Sequence, residues 1–72
     1  MNSQTFKLKP KVEFIPLMNL LKLLGIAQTG GHAKIMIDEG EVMVNGAKEY
    51  QKRKKLRKDD VVQVDGVRIM IE

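Results

Sequence analysis

Two dipeptides, Asn45-Gly46 and Asp65-Gly66, constrain this 72-residue chain more than any other feature. Each stands between apolar stretches. An Asn or Asp followed by Gly supplies the two left-handed residues that a two-residue β-hairpin loop demands. The later hairpin has a clean register. A two-residue loop pairs Val64 with Val67 and Val62 with Ile69, so Val62, Val64, Val67, Ile69 and Ile71 share one face. Gln63, Asp65 and Arg68 then face away. The earlier loop joins a strand over residues 41–44 to a return strand over 47–50. Its pattern is less regular, because the same loop geometry sets Glu49 opposite Val42.

The N-terminal half follows other periods. Residues 5–9 alternate, with Phe6 and Leu8 on one side and Thr5, Lys7 and Lys9 on the other, as in a short half-buried strand. Pro10 ends it. Pro16 suits the first position of a helix, where a missing N–H costs nothing. Leu17, Leu20, Leu21 and Leu24 follow at helical spacing, Met18 and Leu23 widen the stripe, and Gly25 stops the helix. Thr29 caps a second helix whose inward face is Ala33, Met36 and Ile37, and Gly40 ends it. Met18, Met36, Met43 and Met70 read as core filler. The expected class is α+β: two short helices, paired like a helix-turn-helix, packed on a small, mostly antiparallel sheet of about five strands.

Residues 1–72 are expected to form one domain, which buries only about 60% of the surface its unfolded chain exposes. That leaves little room for a deep enclosed active site. No cysteine is present, so neither a disulfide nor a thiolate metal site can form. His32 is the only histidine, and no nucleophile–base pair or metal-ligand spacing occurs. No catalytic residue, metal, cofactor or small-molecule substrate is therefore expected. Nothing approaches the ~20 apolar residues needed to span a bilayer, and the N-terminus lacks the apolar run of a signal peptide. A cytoplasmic setting without membrane contact is the expectation.

Charge is unevenly placed. Residues 48–58 hold seven of the thirteen basic side chains and one acid, for a net +6 against +4 for the whole chain. Residues 1–47 sum to +1 and residues 59–72 to −3. A concentrated positive segment on a near-neutral body calls for a polyanionic partner, most simply a nucleic acid. The alternative is a solvated loop that only aids solubility. Leu56 is the only apolar residue between Gln51 and Asp60, so it should anchor the segment in the core. If the segment is extended, Arg53, Lys55 and Arg57 form one row facing away from Leu56. Tyr50, nearby, could stack on a base.

The start of the second helix is the other candidate. Gly30 and Gly31 follow the Thr29 cap and leave bare backbone at the positive end of the helix dipole. Lys34 lies one turn on, and a helical side chain leans back toward the N-terminus, so its ammonium could assist. An ordinary capped helix explains the same residues. His32 reads as a surface residue at the helix start, and Asp59-Asp60 as a turn.

From about residue 14 to residue 64 the chain resembles the RNA-binding domain first described in ribosomal small-subunit protein four, also called the αL motif. The matching residues are the leucine helix ending Leu24-Gly25 and the helix opened by Thr29 with Ala33 and Lys34. The stretch Gly40-Glu41-Val42-Met43-Val44-Asn45-Gly46 follows, then Lys52-Arg53-Lys54-Lys55-Leu56 and the strand start Asp60-Val61-Val62. Residues 29–34 look particularly like small stand-alone bacterial members. The resemblance implies an RNA-binding face made by the two helices and adjoining loops. Carried over residue by residue, it points to Thr29, Gly30, Lys34, Asn45, Gly46, Lys52, Arg53, Lys54 and Lys55. With His32 and Arg57 from the segments above, these are the candidate RNA-binding residues. Two positions depart from the family. Larger members often carry an arginine where Gly30 stands, and Asp59-Asp60 replaces the usual Gly-Asp. The expected function is non-catalytic binding of structured RNA, ribosomal RNA or an assembling ribosomal subunit being the target class. The alternative is a protein-interaction module docking on an acidic protein partner.

Overall fold

Both Asx-Gly hairpins form in the computed structural model, which describes residues 2–72. Asn45 and Gly46 have φ of 51° and 85°, and Asp65 and Gly66 of 51° and 72°. Two consecutive left-handed residues match the right-handed twist of the flanking strands. In chain order the elements are β1 (Asn2–Phe6), β2 (Ile15–Pro16), α1 (Leu17–Leu23), α2 (Gly30–Asp38) and β3 (Met43–Val44). Then come β4 (Ala47–Lys48), β5 (Lys55–Leu56), β6 (Val61–Val64) and β7 (Val67–Ile71). The β6–β7 register pairs Val64 with Val67 and Val62 with Ile69. In the first hairpin Val44 pairs with Ala47, and the Glu49 N–H donates to the Val42 carbonyl at 3.0 Å. Glu49 thus sits opposite Val42, as the two-residue loop requires. Strand β3 also pairs with β6, which joins the hairpins into one five-stranded sheet of order β1-β7-β6-β3-β4.

Strand β1 departs from the pattern reading in place. It covers residues 2–6 rather than 5–9, and it runs parallel to β7. Backbone bonds carry the pairing on to Leu8, whose N–H reaches the Glu72 carbonyl at 2.8 Å. Residues 2–5 are exposed, so this edge strand is held by its main chain and needs no apolar alternation to form. Beyond it, the Val12 N–H donates to the Lys9 carbonyl, with Lys11 at φ 68°. That tight turn at Pro10 swings the chain across to α1.

Pro16 stands just outside the helix, at φ −63° and ψ 142°. It is extended because Ile15 and Pro16 pair with Leu56 and Lys55 in a separate two-stranded sheet. Gly25 and Gly40 follow the helix ends at φ of 73° and 74°. Leu17, Leu20, Leu21, Ala33 and Ile37 pack with Val42, Val62, Ile69 and Ile71 in one core cluster. Leu56 joins them with no exposed surface, as its isolation among charged residues implied. Two assignments to the interior are corrected. Leu23 is 66% exposed, because six positions rotate it about 240° from Leu17, onto the outer flank. Met70 is exposed because it alternates with the buried Ile69 and Ile71, while Met36 is buried and Met18 and Met43 are half-buried.

Candidate nucleic-acid interface

The basic segment is tethered along its length. In its second half Leu56 fills the core, and β5 pairs with β2. Toward its start, the Lys52 and Lys54 carbonyls accept from the N–H groups of Met18 and Leu17, at 3.0 and 2.9 Å. Those are otherwise unpaired donors at the start of α1, so the loop itself closes that helix end. At the far end Asp60 is the fastener. One carboxylate oxygen accepts from the Arg57 N–H at 2.7 Å, the other from the Asn45 side-chain amide at 3.0 Å. Partial burial pushes the Asp60 carboxyl up. The hydrogen bonds from Arg57 and Asn45, with the Lys54 and Arg57 charges, outweigh burial and hold it below the usual carboxylate range.

This tethering changes the expected row of cations. Only Lys55 and Leu56 are extended. Arg53 lies in a tight turn closed by a bond from the Lys54 N–H to the Gln51 carbonyl, and Arg57 opens another with Asp60. Lys55 and Arg57 converge on the Phe14 ring, their charged ends 5.0 and 5.6 Å from its centroid. Arg53 is exposed and outside that pair. Among the described residues no acid forms a salt bridge with any cation of this segment.

At the other candidate, the Thr29 hydroxyl accepts from the His32 N–H at 3.0 Å. His32 Nδ1 accepts in return from the Gln28 N–H at 3.3 Å. Together these bonds resemble a capping box, with an imidazole in place of the carboxylate and its bond reaching the residue before the cap. They give His32 a local structural task and leave the N–H groups of Gly30 and Gly31 without a partner among the described residues. Lys34 does not lean toward that opening. Its ammonium pairs with Asp38, one turn C-terminal, at 3.6 Å, an exposed contact of little energy.

Met18 brings the two candidates together. A side chain added at Gly30 would lie 3.7 Å from the Met18 sulfur, and the Met18 N–H holds the Lys52 carbonyl. The opening of α2, the start of α1 and the turn carrying Lys52, Arg53 and Lys54 are therefore neighbours on one surface. Of the acids, Glu49 accepts from the Gln51 N–H at 3.1 Å beside that turn, while others lie farther off. Asp38 and Glu39 lie at the far end of α2. A hydrogen bond with Glu39, aided by desolvation and the charges of Glu39 and Asp65, raises the Glu41 carboxyl above its usual range. Among the described residues no three His, Asp or Glu side chains converge as metal ligands. Asn45 and Gly46 serve the fold. The Asn45 side chain accepts from the Val61 N–H at 2.9 Å while donating to Asp60, and Gly46 completes the turn.

Three contributors escaped the pattern reading. Phe14 supports two cations, Met18 links the two candidates, and Asp60 clasps the loop to the hairpin. Only Asp60 left a trace, as an acid closing a basic run. Asp59 does occupy the left-handed region, at φ 77°, where the family's glycine would stand.

Comparison with known proteins agrees with this architecture. The family model described as the S4 domain matches residues 6–72. The chain is 41% identical over 54 residues to RlbA of Bacillus subtilis (strain 168), named as a probable ribosome maturation protein. That alignment spans 75% of this chain and 76% of the relative. It is 40% identical over 57 residues to YbcJ of Escherichia coli (strain K12), whose name gives RNA binding as a provisional assignment; 79% and 81% of the two chains are covered. The solution structure of YbcJ from E. coli, described as revealing an αL motif involved in RNA binding, superposes with a TM-score of 0.66 at 39% identity. That superposition covers 93% of this chain and 84% of the other.

Proposed function

This chain belongs to the S4 domain family, and from that premise we propose that it is a non-catalytic protein that grips structured RNA. The target class is ribosomal RNA or an assembling ribosomal subunit, in keeping with the name of the B. subtilis relative. One observation carries the reading: the open start of α2 and the Lys52–Lys54 turn adjoin through Met18, with Asp38 and Glu39 at the far end of α2. Phosphates would meet Arg53, Lys52, Lys54 and the Gly30 and Gly31 N–H groups, with Lys55 and Arg57 extending the contact over Phe14. Thr29 and His32 shape the helix opening, and Asn45 and Gly46 act through the fold. Lys34 contributes charge at the margin. The setting in this reading is the cytoplasm, where ribosomal RNA and assembling subunits are met.

Filter binding to deproteinised ribosomal RNA tests this. With about four or five phosphates contacted, log affinity falls against log salt with a slope of roughly −3 to −4. The double substitution Arg53→Glu/Lys55→Glu abolishes retention while the unfolding midpoint stays in place, since both side chains are exposed. Unchanged retention in a folded double mutant overturns the proposed face.

A further inference from the structure

Along the outer flank of α1 lies a surface that the RNA reading reaches only at its Phe14 edge, beneath Lys55 and Arg57. Two cavities of about 400 and 240 Å³ open side by side there and share Asn19 and Leu23. The larger is lined by these two and Lys22. The smaller runs between α1 and the chain that leads into it, with Phe6, Leu8, Val12 and Phe14 among its apolar walls and Lys9 beside them. Together they make a trough, not a scatter of isolated apolar residues. Leu23 is 66% exposed and Val12 45%, on a domain too small to leave apolar surface open at no cost.

The charged side chains that line the trough or stand over its wall have one sign. Lys9 and Lys22 line it, and Lys55 and Arg57 stand over its Phe14 wall. Among the described residues no carboxylate lines either cavity. The trough meets the Gly30 opening only at Lys22, which lines the larger cavity and whose Cδ would lie 4.0 Å from a side chain added at Gly30. Asn19 and Leu23 lie four residues apart on one flank of α1, whereas Met18, which meets Gly30, lies on the other.

Its chemistry suits a protein segment better than a nucleobase. Base recognition uses open aromatic faces and convergent polar groups. Here the Phe14 ring is attended by two cations, most other walls are aliphatic, and Asn19 is the one uncharged polar side chain in the lining. Apolar walls ringed by ammonium and guanidinium groups complement apolar anchors flanked by Asp and Glu. We propose that this trough docks an acidic amphipathic segment of another protein. The domain then holds RNA on one flank of α1 and a protein on the other, as an adaptor.

A random displayed-peptide library, selected against the immobilised full chain, tests the proposal. The enriched peptides should combine apolar anchors with Asp or Glu. The best of them, titrated into isotope-labelled protein, should shift the amide resonances of Val12, Phe14, Asn19 and Leu23 and leave Gly30 and Gly31 unmoved. Leu23→Glu should weaken that peptide by about tenfold or more, as loss of a central anchor does, with retention of ribosomal RNA unchanged. Val12→Glu, on the opposite wall, should act in the same direction. Failure to enrich, enrichment of basic peptides, or equal binding by both variants overturns the proposal. So does loss of RNA retention in folded Leu23→Glu, which would give the trough to RNA. A concentration-dependent dimer abolished by Leu23→Glu would also overturn it, by giving the trough to a second copy of this chain.

Discussion

The two helices of this domain begin in opposite ways. At the start of α1 the N–H groups of Leu17 and Met18 are taken by carbonyls of the basic loop. At the start of α2 the Thr29 hydroxyl takes one donor, and those of Gly30 and Gly31 stay open. Every helix presents such orphan donors and the same positive dipole end. The difference lies in who supplies the acceptors. One helix start is consumed in holding a charged loop against the body. Its neighbour, with glycines at the two positions after the cap, keeps two donors without a partner among the described residues. A helix N-terminus is thus a binding opportunity only where the fold leaves it unfilled.

The heaviest blow to this contrast is to release the loop. Leu56→Ala removes its core anchor and should cost about 2–5 kcal/mol by urea unfolding. The start of α1 then loses its acceptors, and RNA retention falls with it. Next in size is acid. Asp60, which clasps the end of the loop, titrates below its ordinary range in the folded state. It therefore adds stability above its unfolded pKa of about 4, and that stability is lost as pH falls through the folded value. Asp60→Asn should be less stable at neutral pH and should lose less on acidification below pH ~4, seen in paired thermal melts.

The open helix start is probed by smaller changes. Thr29→Ala should cost about 1 kcal/mol through loss of the cap. Thr29→Asp keeps a capping oxygen and should hold stability, but it sets a negative charge beside the open N–H groups and should weaken RNA retention. Opposite movements of stability and binding in this pair sharpen the comparison; parallel movements break it. The smallest effect is at Gly30, where an added side chain meets Met18 at ordinary contact distance. Gly30→Arg should gain up to about 0.5 kcal/mol of helix stability and raise RNA affinity. Unchanged or weaker affinity in filter binding would mean that this helix end does not face the phosphates.

Much of the fold was legible from local chemistry. Thr29 marked the start of α2, Gly25 the end of α1, and the two Asx-Gly turns set both hairpins to the residue. Leu56 was placed in the core because an apolar residue alone in a charged run has no other use. The candidate site was legible by segment and not by contact. An even row of Arg53, Lys55 and Arg57 assumed an extended chain, whereas two tight turns break it. Lys34 was expected to lean back toward the helix start, but Asp38 four residues on offered a nearer counter-charge. Phe14 gave no sign of its role, since its partners lie some forty residues away in sequence.

By itself the amino-acid sequence determined the two helices, the two hairpins and where positive charge collects, because those outcomes depend on side chains and their near neighbours. Tertiary structure alone decided that β1 runs parallel to β7, that Ile15 and Pro16 pair with the basic loop, and that carbonyls of that loop close α1. The physical reason is that these joins are made by main-chain N–H and C=O groups. Nearly every residue carries them alike, so the choice of partner is settled only when the core brings distant backbones together.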